Sequence, residues 1–175
     1  KVYGMRADII APFRDEFHIP HLLGGFGMTE IPGVCCVPFE GPDKPGSMGP
    51  VGRHPDPGRK WAEGKVVDDD GNEVGPGEVG ELWVKHPIVM QGYFRDPGQT
   101  EAAFRDGWFM TGDLVTRGAD GYYTFVSRKK DIIRRRGENI AGADIDRVIQ
   151  SHPGVFEDAA TPGPSELGED ENLGA

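Results

Sequence analysis

Only two cysteines occur among the 175 residues, and they are neighbours, Cys35 and Cys36. Adjacent cysteines cannot ordinarily reach disulfide geometry without straining the backbone between them, which excludes a disulfide framework. They are expected to be buried thiols in a reducing compartment; a redox pair or half of a metal site would need a further Cys or Cys/His cluster at ligand spacing, and none is present. Long apolar runs are missing as well. No stretch approaches the roughly 20 residues that cross a bilayer, and residues 1–8 lack the uninterrupted apolar core of a signal peptide, so a cytoplasmic location is expected. Positive charge is short: 19 Lys and Arg against 29 Asp and Glu leave a net charge of -10. A general nucleic-acid binder needs a positive footprint to displace counterions from phosphates, so that class is excluded.

What is present suffices for a folded protein. With 37% hydrophobic residues, 175 residues can build one ordinary domain or two small ones. Ile9, Ile10, Phe13 and Phe17 recur at helical spacing, and His18-Ile19-Pro20 closes that segment because proline disfavours helix before it. Residues 21–26 read as a short buried strand delivering a glycine-rich loop at 24–30. Gly and Pro crowd residues 40–58, which places a boundary near Ser47. Short strands are then expected at 64–67, 80–84, 88–93 and 122–126. Asp70-Gly71 is expected to form a primed hairpin turn and Asp120-Gly121 another turn, since these residue types tolerate positive φ. A further hairpin is expected around Gly137, between Ile132-Ile133 and Ile140, and a helix over 143–149 that stops at Ser151-His152-Pro153-Gly154. Beyond Thr161 only polar and small residues remain, so this last α+β unit is expected to lack a further strand or helix.

Two segments carry candidate chemistry. Gly24-Gly25-Phe26-Gly27-Met28-Thr29-Glu30 combines glycines that permit close backbone approach, an aromatic ring, a hydroxyl and a carboxylate, parts that suit a nucleotide; it also reads as a plain turn leading to a helix cap. In Asp106-Gly107-Trp108-Phe109-Met110-Thr111-Gly112-Asp113-Leu114, Asp113 follows a glycine and could accept hydrogen bonds from the two vicinal hydroxyls of a ribose; a Thr-Gly-Asp turn between strands is the plainer reading. Charge is uneven. Arg128, Lys129, Lys130, Arg134, Arg135 and Arg136 form a basic island, and Glu166, Glu169, Asp170 and Glu171 an acidic end, which as a charge pattern alone equally describes two solvated surfaces.

Taken in order, these two segments, Gly80-Glu81-Leu82-Trp83-Val84 with Gly92-Tyr93-Phe94, then Ser127-Arg128-Lys129-Lys130-Asp131-Ile132-Ile133 and Gly137-Glu138-Asn139-Ile140, resemble the adenylate-forming superfamily of acyl-CoA synthetases, luciferases and peptide-synthetase adenylation domains. The stretch 135–140 is most similar to bacterial acyl-CoA ligases of the carnitine/crotonobetaine and fatty-acid type. The resemblance implies ATP binding by Gly25, Phe26, Gly27, Thr29, Asp113 and Arg128. Phe26 would pack on adenine, Thr29 contact the AMP phosphate, Glu30 carry Mg²⁺, and Asp113 and Arg128 reach the ribose. Lys130 falls at the family's hinge position, and Gly137 where the pantetheine arm of CoA passes. The implied reaction forms acyl-AMP from a small carboxylic acid and ATP, then transfers the acyl group to CoA.

The implied fold is α+β: the end of a large αβ domain over 1–47, a β-rich, distorted-barrel subdomain over 48–127, and the hinge and start of a small α+β C-terminal domain over 128–175. The family's phosphate loop and its lysine near the carboxyl end are absent, and Asn139 stands where some relatives carry arginine. The chain is therefore expected to be an internal piece of a ligase that cannot make acyl-AMP alone. The alternatives are an adenylation domain of a peptide synthetase, a luciferase-like enzyme, and a degenerate relative without chemistry.

Overall fold

The computed structural model describes residues 7–42, 44–56, 58–59, 61–135, 138–163 and 172–174. It is mostly β-sheet, and the three α-helices among the described residues are short. Two compact units divide the chain, one of Lys1–Thr111 with Val115–Phe125, the other of Gly112–Leu114 with Val126–Ala175. The boundary expected at Ser47 falls inside the first unit.

The first unit opens with α1, Ala7–Asp15. The helix ends two residues before the expected Phe17. The amides of Glu16 and Phe17 both turn back to the Pro12 carbonyl at 2.8 and 3.3 Å, and His18 adopts φ 54°, a left-handed conformation that stops a helix. β1, Gly25–Met28, and β2, Ile31–Cys36, then form an antiparallel hairpin in which Met28 faces Ile31, so Thr29 and Glu30 alone make the turn. The expected strand at 21–26 and loop at 24–30 are thus displaced: the glycines lie in the strand. A Cβ on Gly27 would stand 2.5 Å from the Gly33 amide nitrogen, and one on Gly25 3.1 Å from the Cys35 carbonyl, so the two backbones approach too closely for a side chain.

The main sheet comprises β3, Ser47–Gly49, β4, Glu63–Val67, and β5, Val79–Lys85, followed, after the capped helix α2, Pro97–Ala102, by β6, Phe104–Arg105, β7, Trp108–Arg117, and β8, Tyr123–Arg128. Its order is β3-β8-β7-β5-β4, with β6 pairing on β7. Phe26, Ile31, Val34, Met48, Leu82, Val84, Phe109, Val115 and Tyr123 meet in one buried cluster, so the hairpin and the sheet share a core. On the opposite face of β4 and β5, the Lys65 Nζ lies 4.7 Å from the Trp83 ring centre and 4.9 Å from that of Trp108, within cation–π range of both.

Turn chemistry follows the sequence with one correction. At Asp70-Gly71 only Gly71 takes positive φ, +91°. The Gly71 amide bonds the Asp68 carbonyl at 3.1 Å and the Asp68 amide bonds the Asn72 carbonyl at 2.9 Å, making a wider turn than the expected two-residue primed one. The same plan recurs at residues 118–122, where Gly118 and Gly121 play the roles of Asp68 and Gly71. The two-residue primed turn occurs instead at Asp106-Gly107, with φ of 52° and 75°, between Arg105 and Trp108. Asp113 therefore sits within β7, not in a Thr-Gly-Asp turn. Residues 88–93 are not a strand: the Val89 amide bonds the His86 carbonyl at 3.2 Å and the Met90 amide leaves to bond Glu30.

In the second unit a short 3-10 turn, Lys129–Asp131, leads into β9, Ile132–Arg135, which pairs antiparallel with β10, Glu138–Ala141. This is the hairpin expected around Gly137; Arg136 and Gly137 themselves lie outside the described residues. Helix α3, Gly142–Gln150, follows and closes at Ser151, whose hydroxyl donates to the Val148 carbonyl at 2.6 Å. The expectation of no later strand is corrected by β11, Thr161–Gly163, which pairs antiparallel with β12, Asn172–Gly174.

Candidate functional site

The turn of the β1–β2 hairpin presents Thr29, exposed, and Glu30, half-buried. Glu30 is held at two points by one distant segment. Its backbone carbonyl accepts from the Met90 amide at 2.7 Å, and its Oε1 accepts from the Tyr93 hydroxyl at 3.0 Å. That segment is itself pinned. The Tyr93 amide donates to the Thr100 Oγ1 at 2.9 Å, and the Thr100 hydroxyl donates to the Asp96 carbonyl at 2.8 Å. The Asp96 carboxylate in turn caps α2 by accepting from the Gln99 amide at 2.9 Å, with Pro97 opening the helix. The result is a carboxylate fixed at a turn tip beside a free-standing threonine. Burial, together with the bond to Glu30 and its charge, raises the Tyr93 phenol above its ordinary value, so it remains a protonated donor.

The hairpin brings Gly25, Phe26, Gly27, Thr29 and Glu30 together. Phe26 is 2% exposed and packed in the core. In this structure its ring packs against the hairpin and sheet core. Gly25 and Gly27 answer to the backbone approach described above. Asp113, Arg128 and Lys130 belong to the second unit. Asp113 is fully buried within β7. Arg128 is half-buried at the end of β8, and Lys130 is exposed in the 3-10 turn after it. Gly137 lies outside the described residues. Sequence reasoning left Tyr93 without a role, although Gly92-Tyr93-Phe94 stood in the motif series; the available signal was Asp96-Pro97, a cap followed by a helix-opening proline, which marks residues 90–96 as a built loop.

Among the described residues no group of three or more His, Cys, Asp or Glu is arranged so that it could hold a metal ion. Magnesium, however, is commonly bound by one or two carboxylates together with substrate phosphates, and a single fixed carboxylate beside a hydroxyl fits an ion that arrives with a nucleotide.

A family model described as AMP-binding enzyme matches residues 4–94, which include the hairpin and Tyr93. The chain is 44% identical over 147 residues to a long-chain-fatty-acid–CoA ligase of Salmonella typhimurium, covering 83% of this chain and 25% of the ligase. It is 36% identical to the luciferin 4-monooxygenase of Photinus pyralis, again over 25% of that enzyme and 81% of this chain. The chain thus spans about a quarter of the length of these relatives. Among solved structures, the O-succinylbenzoate coenzyme A synthetase of Bacillus subtilis in complex with ATP and magnesium ion superimposes with a TM-score of 0.78 at 29% identity, covering 98% of this chain and 34% of that one.

Proposed function

The chain belongs to the AMP-binding enzyme family, and we propose that the protein carrying it is an ATP-dependent acyl-CoA ligase that acts on a carboxylic acid, ATP and CoA. The observation that carries this reading is the Thr29-Glu30 turn tip, with its carboxylate fixed from two sides, inside the segment that matches the family. In the first step the carboxylate of the acid attacks the α-phosphate of ATP, giving acyl-AMP and pyrophosphate; in the second the CoA thiolate displaces AMP. Thr29 would contact the phosphate, and Glu30 would hold Mg²⁺. The ion, when bound, stabilises charge growing on the phosphoryl oxygens.

On this reading residues 1–47 and 48–127 are parts of a large domain, and 128–175 the hinge and part of a small one. Lys130, exposed in a short turn after β8, suits a hinge, since such positions absorb backbone rotation. Gly137 would line the pantetheine path, and Asp113 and Arg128 would serve the ribose once the site is assembled. Two free thiols accord with a cytoplasmic location.

The test supplies the protein with ATP, CoA and a panel of carboxylic acids. Acyl-CoA and AMP are expected in equal amounts. Transfer of an aminoacyl group to a carrier protein, with no thioester to CoA, would refute the ligase reading in favour of an adenylation domain.

A further inference from the structure

The pairing of Glu30 with Tyr93 joins residues 63 positions apart. Tyr93 is half-buried, and Phe94, next to it, is 87% exposed, so the segment is not held by apolar packing of its aromatic pair. Val89 and Met90 anchor its start against the buried cluster, and polar bonds fix the rest: the Met90 amide to Glu30, the Tyr93 amide to Thr100, and Thr100 to Asp96. Each of these fixes the position from which the phenol points. The phenol engages Oε1 alone, and among the described residues Oε2 has no hydrogen-bond partner, which leaves one oxygen of an oriented carboxylate for a ligand.

We propose that Tyr93 is a positioning residue for the divalent-cation step: its hydroxyl clamps Glu30 so that Oε2 faces the ion brought in with the nucleotide. This rests on the ligase reading, because it takes Glu30 as the metal-bearing carboxylate. An untethered glutamate side chain loses rotamer freedom on binding a cation, and the clamp removes that cost in advance. Partners that orient a metal ligand typically change metal affinity 10- to 100-fold when removed. The hydroxyl acts through Glu30 and touches no reacting atom.

The experiment titrates the protein that carries this chain with manganese(II) and ATP, following bound Mn²⁺ by electron paramagnetic resonance, and separately with ATP in EDTA by calorimetry. Tyr93→Phe keeps the ring and removes only the hydroxyl. It is expected to weaken Mn²⁺–ATP binding roughly 10-fold or more while leaving metal-free ATP binding unchanged, with Glu30→Gln at least as weak and the double variant no weaker than Glu30→Gln. Loss in Glu30→Gln with wild-type affinity in Tyr93→Phe would overturn the role of Tyr93 and leave the ligase reading intact. No Mn²⁺–ATP binding by the wild type, or none affected by Glu30→Gln, would refute the site itself and the inference with it.

Discussion

Gly27 is the residue at which a nucleotide role and a folding role predict different things, and Gly27→Ala separates them. A Cβ at this position meets the Gly33 nitrogen at 2.5 Å, against the 3.4 Å at which ordinary van der Waals contact begins. The obstacle is backbone, so no rotamer change relieves it; β1 and β2 must separate. Both strands carry core residues, Phe26 and Ile31 among them, and separation loosens their packing. Inserting one methyl group into well-packed structure costs about 1–3 kcal/mol, and an obstacle that cannot swing aside places this case near about 3 kcal/mol. For a chain of this size roughly 2–4 °C is lost per kcal/mol, so the first unit should melt about 6–12 °C lower. Gly33→Ala is the control. It lies in open space but at φ +79°, so its cost is the left-handed penalty of about 1–2 kcal/mol and its shift is smaller. The assay is circular dichroism melting beside binding of an acyl-adenylate analogue. Wild-type melting of Gly27→Ala with loss of binding would refute the argument, because the glycine would then serve the ligand and not the hairpin.

Three further outcomes follow from single sites. Asp68 accepts the Asn72 amide at 2.8 Å and the Asp70 amide at 3.0 Å, which holds its carboxyl below the usual range. Its contribution is complete above the unfolded value of about 3.9 and is lost as pH falls through the lower folded value, so the stability gap between wild type and Asp68→Ala should be constant near neutrality and close in acid; a gap that widens in acid would contradict this. Cys35 is buried and its thiol is pushed up to about 12, chiefly by burial and then by neighbouring Cys36, whereas Cys36 is exposed. A thiol reagent at pH 8 should therefore titrate one group in the native chain and two after unfolding, and two fast groups in the native state would count against the packing of β2. Leu82→Ala empties a fully buried site in β5 and should lower stability by about 2–5 kcal/mol in urea unfolding, with a change below about 1 kcal/mol arguing against the assigned core.

Legibility divides by distance along the chain. Asp120-Gly121, the hairpin around Gly137 and the helix bearing Ile145, Val148 and Ile149 are encoded within a few residues of themselves, and each is found where local chemistry puts it. Residues 88–93 look like a strand because Ile88, Val89 and Met90 are apolar, yet the Met90 amide is committed to Glu30 and cannot join a ladder. α2 has six residues and no buried side chain, so apolar periodicity is blind to it, and only Asp96-Pro97 betrays it. β7 was masked by its own interest: Thr111-Gly112-Asp113 suggests a turn, but Phe109, Thr111, Asp113 and Val115 are all buried at alternate positions, the signature of a strand.

The same distance argument accounts for the candidate site. Thr29 and Glu30 are recognisable as a pair because they are adjacent, and the glycines before them draw the eye toward a phosphate. The structure shows those glycines in strand contact at 2.5 and 3.1 Å. Beside that local contact stands a long-range one. A hairpin turn by itself would leave the Glu30 side chain to solvent and free rotation, whereas two bonds from residues 90 and 93 hold both its backbone and its carboxylate. Backbone register alone would be secured by the Met90 amide; the added phenol bond acts only on the carboxylate. A half-buried phenol satisfies its own hydroxyl by such a bond, and in doing so it constrains the orientation of the Glu30 carboxylate as well as its place in the chain.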